Sequence, residues 1–185
     1  MNATNSIMRI YTIGHSNVTA GEIIQLLKKY RIQVLADVRT SPYSQYNPQF
    51  NRERFMRLVE AVGIEYLYLG EQLGGRPKDA DCYKDKQVAE AAADYLHLVD
   101  YPVVMTKVFF QEGIQKLKQT AAHKTCAVMC SEEDPSKCHR HHLIGRYLME
   151  QGVEVIHIRG DGQAVNAKQF GFVAEEPEEK QAPLF

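Results

Sequence analysis

Five short apolar runs, each separated from the next by a stretch of helical period, constrain this chain more than any other feature. They are residues 9–16 (RIYTIGHS), 34–39 (VLADVR), 64–69 (IEYLYL), 125–130 (TCAVMC) and 153–159 (VEVIHIR). Thr19 predicts an N-cap for a helix carrying Ile23, Ile24, Leu26, Leu27 and Tyr30. Further helices are predicted over 51–62, closed by Gly63, around 86–99, over 109–122, and over 138–151, stopped by Gly152. Strands alternating with helices predict a single three-layer α/β domain: a mostly parallel sheet of about five strands with helices on both faces.

A chain of 185 residues with 44% hydrophobic content suffices for one buried core and is short for two. Residues 1–173 are therefore predicted to form one domain. Residues 174–185 change character: a run of glutamates, two prolines and no periodicity predict a flexible acidic tail ending in QAPLF. The tail holds four glutamates against one lysine, so with a net charge of -1 the body is close to neutral and advertises no broad basic face for non-specific nucleic-acid binding. A small basic cleft stays compatible with this. The first residues lack a signal-peptide pattern, and no segment reaches the apolar length of a membrane span, which predicts a cytoplasmic protein without a membrane partner. Its four cysteines, at 82, 126, 130 and 138, are then expected to be thiols.

In an open α/β sheet, ligands bind beyond the carboxyl ends of the strands. Five loops deliver polar or glycine-rich residues there: His15 and Ser16; Asp37, Arg39 and Ser41; Gly74, Gly75 and Arg76; 130–140 (CSEEDPSKCHR); and Arg159 with Asp161. Cys138, placed by Pro135 and Ser136 at a helix start beside Lys137 and Arg140, is a candidate nucleophile. Cys130 alternates with Cys126 and Val128 and reads as a wall residue reaching the rim. Asp37 and Glu132 are candidate general bases and His139 a candidate acid or nucleophile, while Arg39 and Arg140 suit an anionic group. Gly74 and Gly75 allow close backbone approach, and Tyr43, Tyr46 and Phe50 offer rings for a base. Glu132, Glu133 and Asp134 argue against a phosphate cradle. No metal cofactor is predicted, because Cys130-x7-Cys138 is not a knuckle spacing and consecutive Cys138 and His139 on a helix would point apart.

With these motifs in view, the chain resembles the family called domain of unknown function 488. The matching pieces are YTIGHS at 11–16, DVRTSPYS at 37–44, the run from Gly63 to Gly75 ending in LGG, and VMCSEEDPSKCHR at 128–140 continuing into HHLIGRYL. The resemblance implies an α/β fold with a site built from those motifs, and supplies no reaction. In the tail, Gln181, Leu184 and Phe185 resemble the pentapeptide by which bacterial replication and repair proteins dock on the sliding clamp. The expectation is an enzyme acting on a nucleotide, nucleobase or DNA lesion. A non-catalytic nucleotide or DNA-repair accessory module stays open, as does a thiol redox protein using Cys130 and Cys138.

Overall fold

The computed structural model describes residues 7–88 and 95–172. Six strands form one sheet in the order β3-β2-β4-β1-β5-β6. They are β1 (Arg9–Gly14), β2 (Val34–Asp37), β3 (Glu65–Tyr68), β4 (Cys126–Cys130), β5 (Glu154–Ile158) and β6 (Ala164–Asn166). All pairings among the first five are parallel. The α/β class and the mostly parallel sheet of about five strands are as expected, the count being six. The added strand runs antiparallel to β5 along the sheet edge. Its three partly exposed residues are too few to show a period in the sequence.

Strand alternation sorts the core into two layers. On one face, α1 (Ala20–Lys29) and α2 (Arg52–Glu60) bury Ile23, Leu27, Phe55 and Val59 against Ile13, Leu35, Ala127 and Met129. The other face is covered by α3 (Gly70–Leu73), α4 (Tyr95–Leu98), α5 (Tyr101–Thr106), α6 (Val108–Ala121) and α7 (Arg146–Glu150). There Leu73, Tyr95, Phe110 and Leu148 pack with Ile10, Ala36, Val128 and Cys130. Thr19 caps α1 as expected. Its hydroxyl accepts from the Glu22 amide at 3.2 Å, and the Glu22 carboxylate accepts from the Thr19 amide at 2.7 Å. Of the helix expected around 86–99, α4 lies within the described residues, 84–88 are not helical, and 89–94 fall outside them. Gln181, Leu184 and Phe185 also fall outside the described residues.

The largest departure follows β4. The helix expected over 138–151 is present as one helical stretch over 139–150, and the departure lies just before it: a 3₁₀ turn (Pro135–Lys137) capped by the Asp134 side chain ends at Cys138, which is extended at φ -140 and ψ 137. A π-helical segment (Arg140–Gly145) then leads into α7. Proline starts the 3₁₀ turn, and the helix after Cys138 opens with wide π geometry before narrowing to α geometry. Cys138 thus stands at the start of that helix, its carbonyl accepting from the His142 amide at 3.3 Å, and its side-chain neighbours add to the N-terminal dipole.

β1 and β4 are adjacent, yet α1 follows β1 onto one face and α7 follows β4 onto the other. Divergent connections from neighbouring strands open a crevice at their carboxyl ends. Gly14 closes its floor: a β-carbon there would lie 1.7 Å from the Glu132 carbonyl oxygen, so only glycine lets the loop after β4 cross the end of β1.

Candidate functional site

Two polar clusters meet in this crevice. The first lies at the ends of β1 and β2. Asp37 is fully buried, and its carboxylate accepts from the Arg39 amide at 3.0 Å, Arg39 Nε at 3.0 and 3.2 Å, Arg39 Nη2 at 2.6 Å and the Tyr66 hydroxyl. Arg39 Nη2 also donates to the Phe50 carbonyl at 2.9 Å, and Nη1 lies 3.3 Å from His15 Nε2. His15 stacks on Phe50 with ring centres 4.1 Å apart, and its Nδ1 lies 2.8 Å from the Ser16 carbonyl. That carbonyl needs a donor, so Nδ1 carries the proton and Nε2 accepts from Arg39. Burial, with the Arg39 charge adding to it, holds the ring neutral, its pKa down at about 4.

The second cluster lies beyond β4. Cys130 Sγ is 3.2 Å from Glu132 Oε2 and 3.7 Å from His139 Nδ1, and Cys138 Sγ is 3.9 Å from the same nitrogen. Burial opposes charge on Cys138, but a hydrogen bond from the Cys130 thiol, the Arg140 charge and His139 together hold its thiol well below the usual range. The hydrogen bond with Cys138, then burial, push the Cys130 thiol up. Burial raises Glu132, and the neighbouring Cys138 adds to it. Burial works against a charged His139, yet Cys138 raises its pKa overall. The Arg140 amide donates to Cys138 Sγ at 3.5 Å. Because Cys138 is extended rather than helical, it and His139 face the same spot, which corrects the expectation that they point apart.

Arg140, fully buried, holds the connecting loop in place. It donates through Nη1 to the Glu132 carbonyl, through Nη2 to the Glu133 carbonyl at 2.6 Å, and through Nε to Thr12 Oγ1 at 3.3 Å. The Glu133 carboxylate ties the same loop to Arg159 by two bonds of 2.8 Å. Asp161 caps the Gln163 amide away from these contacts.

Between the clusters opens a polar pocket of about 260 Å³, bounded by His15, Ser16, Arg39, Ser41, Ser131 and Glu132. Glu132 belongs to both places, lining the pocket and touching Cys130. Gly75 reaches the second cluster from below: a β-carbon on it would lie 2.7 Å from the His139 ring. Gly74 and Arg76 instead line a neighbouring cavity with Thr40, and Arg76 stacks on Tyr95 at 4.9 Å. Tyr43 also lines the polar pocket.

Two groups were missed in the sequence. Tyr95, whose hydroxyl lies 3.4 Å from His139 Nδ1, sits in the stretch with the weakest period. Tyr66 and Tyr68 alternate along β3, and that spacing was the available signal for polar groups aimed at Asp37 and Arg39. Behind the site runs a buried chain from Arg140 Nε to Thr12 Oγ1, from Thr12 to His157 Nδ1 at 2.7 Å, from His157 Nε2 to His141 Nδ1 at 3.1 Å, and from His141 Nε2 to the Gly171 carbonyl at 3.1 Å. Because His141 Nε2 donates to the Gly171 carbonyl, its Nδ1 accepts from His157 Nε2, which requires a neutral His141 ring.

Burial and the Arg140 charge take His157 down to about 3 from 6.5. The unfolded chain then binds more protons between those values, so stability present above pH 6.5 is lost as pH falls toward 3. About 2 kcal/mol should be lost through His157 at pH 5 relative to pH 7. Urea unfolding of the unaltered chain and of His157→Gln at both pH values checks this. Equal pH dependence in the two would contradict it.

The fold and site define a class: a parallel-sheet α/β protein with two thiols, an imidazole and a carboxylate gathered at a switch-point crevice. The chain belongs to the DUF488 family, described as Domain of unknown function DUF488, whose family model matches residues 19–147. The match takes in Asp37, Arg39, Gly74, Gly75 and the 130–140 loop, while His15 and Ser16 precede it. No curated protein and no solved structure matches the chain. Among the described residues, no helix is long and apolar enough to cross a membrane.

Proposed function

We propose that this chain is an enzyme acting on a nucleobase, carried in a nucleotide or in DNA, and that the pocket between His15 and Glu132 holds the base. The observation that carries the reading is the double contact of Glu132, which joins a polar pocket to a buried cluster of thiols and imidazole. The pocket offers the Ser41 and Ser44 hydroxyls, the Asn47 amide and a neutral His15, all suited to the edge of a base. Arg39 has one Nη1–H left after its other bonds, which favours a neutral polar group over a chain of phosphates. Tyr43, 54% exposed at the same pocket, suits a stacked ring. Glu132 would take a proton from an attacking water and deliver it to a leaving nitrogen, so that a C–O bond forms as a C–N bond breaks. Cys130, 3.2 Å from Glu132 Oε2, links that step to Cys138 and His139 behind it.

The test is a panel of nucleosides, nucleotides and single-stranded oligonucleotides with ordinary and damaged bases, read by mass spectrometry. A product whose rate falls by about 10²–10⁴ in Glu132→Gln supports the reading, in line with the usual worth of a general acid–base group. No product, or an unchanged rate, sinks it. The reason to place the activity at DNA is the peptide of Gln181, Leu184 and Phe185. A pull-down that recovers a sliding clamp with the full chain, and loses it without 181–185, supports that placement.

The contact between Cys130 and Cys138 favours a second reading, a thiol–disulfide protein. The two thiols would lose two protons and two electrons to an external disulfide and close an S–S bond. A mobility difference between oxidised and reduced chain, absent in Cys130→Ser, is its signature.

A further inference from the structure

We propose that Cys130, Cys138 and His139 are three ligands of a zinc-type divalent cation whose fourth position opens toward Glu132 and the polar pocket. The sulfurs of Cys130 and Cys138 lie 3.7 and 3.9 Å from His139 Nδ1, and all three atoms fall within 4.8 Å of one another. A tetrahedral zinc with sulfur at about 2.3 Å and nitrogen at about 2.0–2.1 Å spaces such ligands by about 3.5–3.8 Å. Small side-chain adjustments close the remaining gap. Two sulfurs and an imidazole select zinc over magnesium or calcium, which prefer oxygen.

Three further observations fit a cation here. His139 is 2% exposed, and its Nε2 has no hydrogen-bond partner among the described residues, although the Val38 carbonyl is near enough to favour a proton on the ring. A metal on Nδ1 requires the ring proton to sit on Nε2, the nitrogen through which metal-bound histidines are oriented. The Arg140 amide already donates to Cys138 Sγ, and its guanidinium offsets the charge that two thiolates bring into a buried site. Gly75, with no β-carbon against the His139 ring, lets the loop after β3 seal the cluster from below.

The fourth position follows from the surroundings. Glu132 Oε2 is 3.2 Å from Cys130 Sγ, and Glu132 lines the pocket that serves as the way in. A water there would touch both the cation and the Glu132 carboxylate. Three protein ligands with one open position mark a catalytic rather than a structural zinc site. Binding expels the Cys130 thiol proton and any proton on His139 Nδ1. The Tyr95 hydroxyl, now 3.4 Å from that nitrogen, must give up this contact. The role of the water rests on the proposed function; cation binding does not.

The test uses the full chain, reduced and stripped of metal, titrated with Co²⁺. Sulfur-to-cobalt charge-transfer absorption in the near ultraviolet, with tetrahedral-strength visible bands chased by Zn²⁺, is the expected result. Elemental analysis should give about one zinc per chain. The content should fall at least tenfold in Cys138→Ser and His139→Ala, and hold in Cys126→Ala, whose thiol lies at the far end of β4. The cobalt spectrum needs no variant, so a misfolded mutant cannot decide the matter. Absence of the sulfur band in the reduced chain, or zinc kept by both variants, overturns the site. Base turnover indifferent to zinc would overturn the catalytic role of the fourth position while leaving the enzyme standing. Zinc bound with no turnover of any base would keep the site and remove the enzyme.

Discussion

Arg140→Met should lower stability by about 3–5 kcal/mol. The side chain is fully buried, and its donors reach two main-chain carbonyls and one hydroxyl. Each buried polar group left without its partner costs about 1–3 kcal/mol, and methionine fills the volume without replacing a donor. For a chain of this length the loss corresponds to a drop in melting temperature of roughly 10 °C. Arg140→Lys should recover less than half, because an ammonium cannot span the Glu132 and Glu133 carbonyls as a planar fork does. Function should suffer beyond stability, since Arg140 fixes the loop carrying Glu132 and also favours the Cys138 thiolate. Reaction of Cys138 with a thiol reagent, measured well below the melting point, should therefore slow in Arg140→Met. Calorimetry showing a shift under about 2 °C would contradict the clamp role.

The sheet was legible because its first five strands are apolar runs with turn residues at their ends, a pattern that burial between two helical layers imposes directly. β6 was not, because an edge strand of Ala164, Val165 and Asn166 buries too little to leave a pattern. The rim was legible for the same reason as the strands: carboxyl ends are fixed once strands are fixed. Roles within it were harder to read. Whether Asp37 is available to a substrate depends on Tyr66, which comes from the neighbouring strand. Whether Cys138 and His139 converge depends on one extended residue between a 3₁₀ turn and a π turn, and helical periodicity before and after hides that break. The chain from Thr12 through His157 to His141 joins positions as far as 145 residues apart. It exists because the sheet order puts β5 beside β1, which no local pattern encodes.

Asp37→Asn should cost about 3–5 kcal/mol, and the way that cost is relieved separates two roles for Asp37. Arg39 is 6% exposed and Asp37 wholly buried, so the substitution leaves a guanidinium in the core with no charge to meet it. Removing the arginine as well, in Asp37→Asn with Arg39→Met, should restore about half of the loss or more, because the uncompensated charge is then gone. A double-mutant cycle by urea unfolding should give a coupling of at least about 2 kcal/mol. A general base would behave differently: Asp37→Asn would leave stability nearly intact, abolish turnover, and gain nothing from the second change. The structure favours the first pattern, since both carboxylate oxygens already accept from Arg39 and one also from Tyr66. Asp37 is then a positioning residue. It holds Arg39 against the Phe50 carbonyl and His15 Nε2, and through those two contacts it sets the wall of the pocket facing Glu132. Under the proposed function, loosening that wall should weaken binding of a base more than it slows the step proposed for Glu132, so the expected signature in the double variant is a raised KM with kcat largely kept.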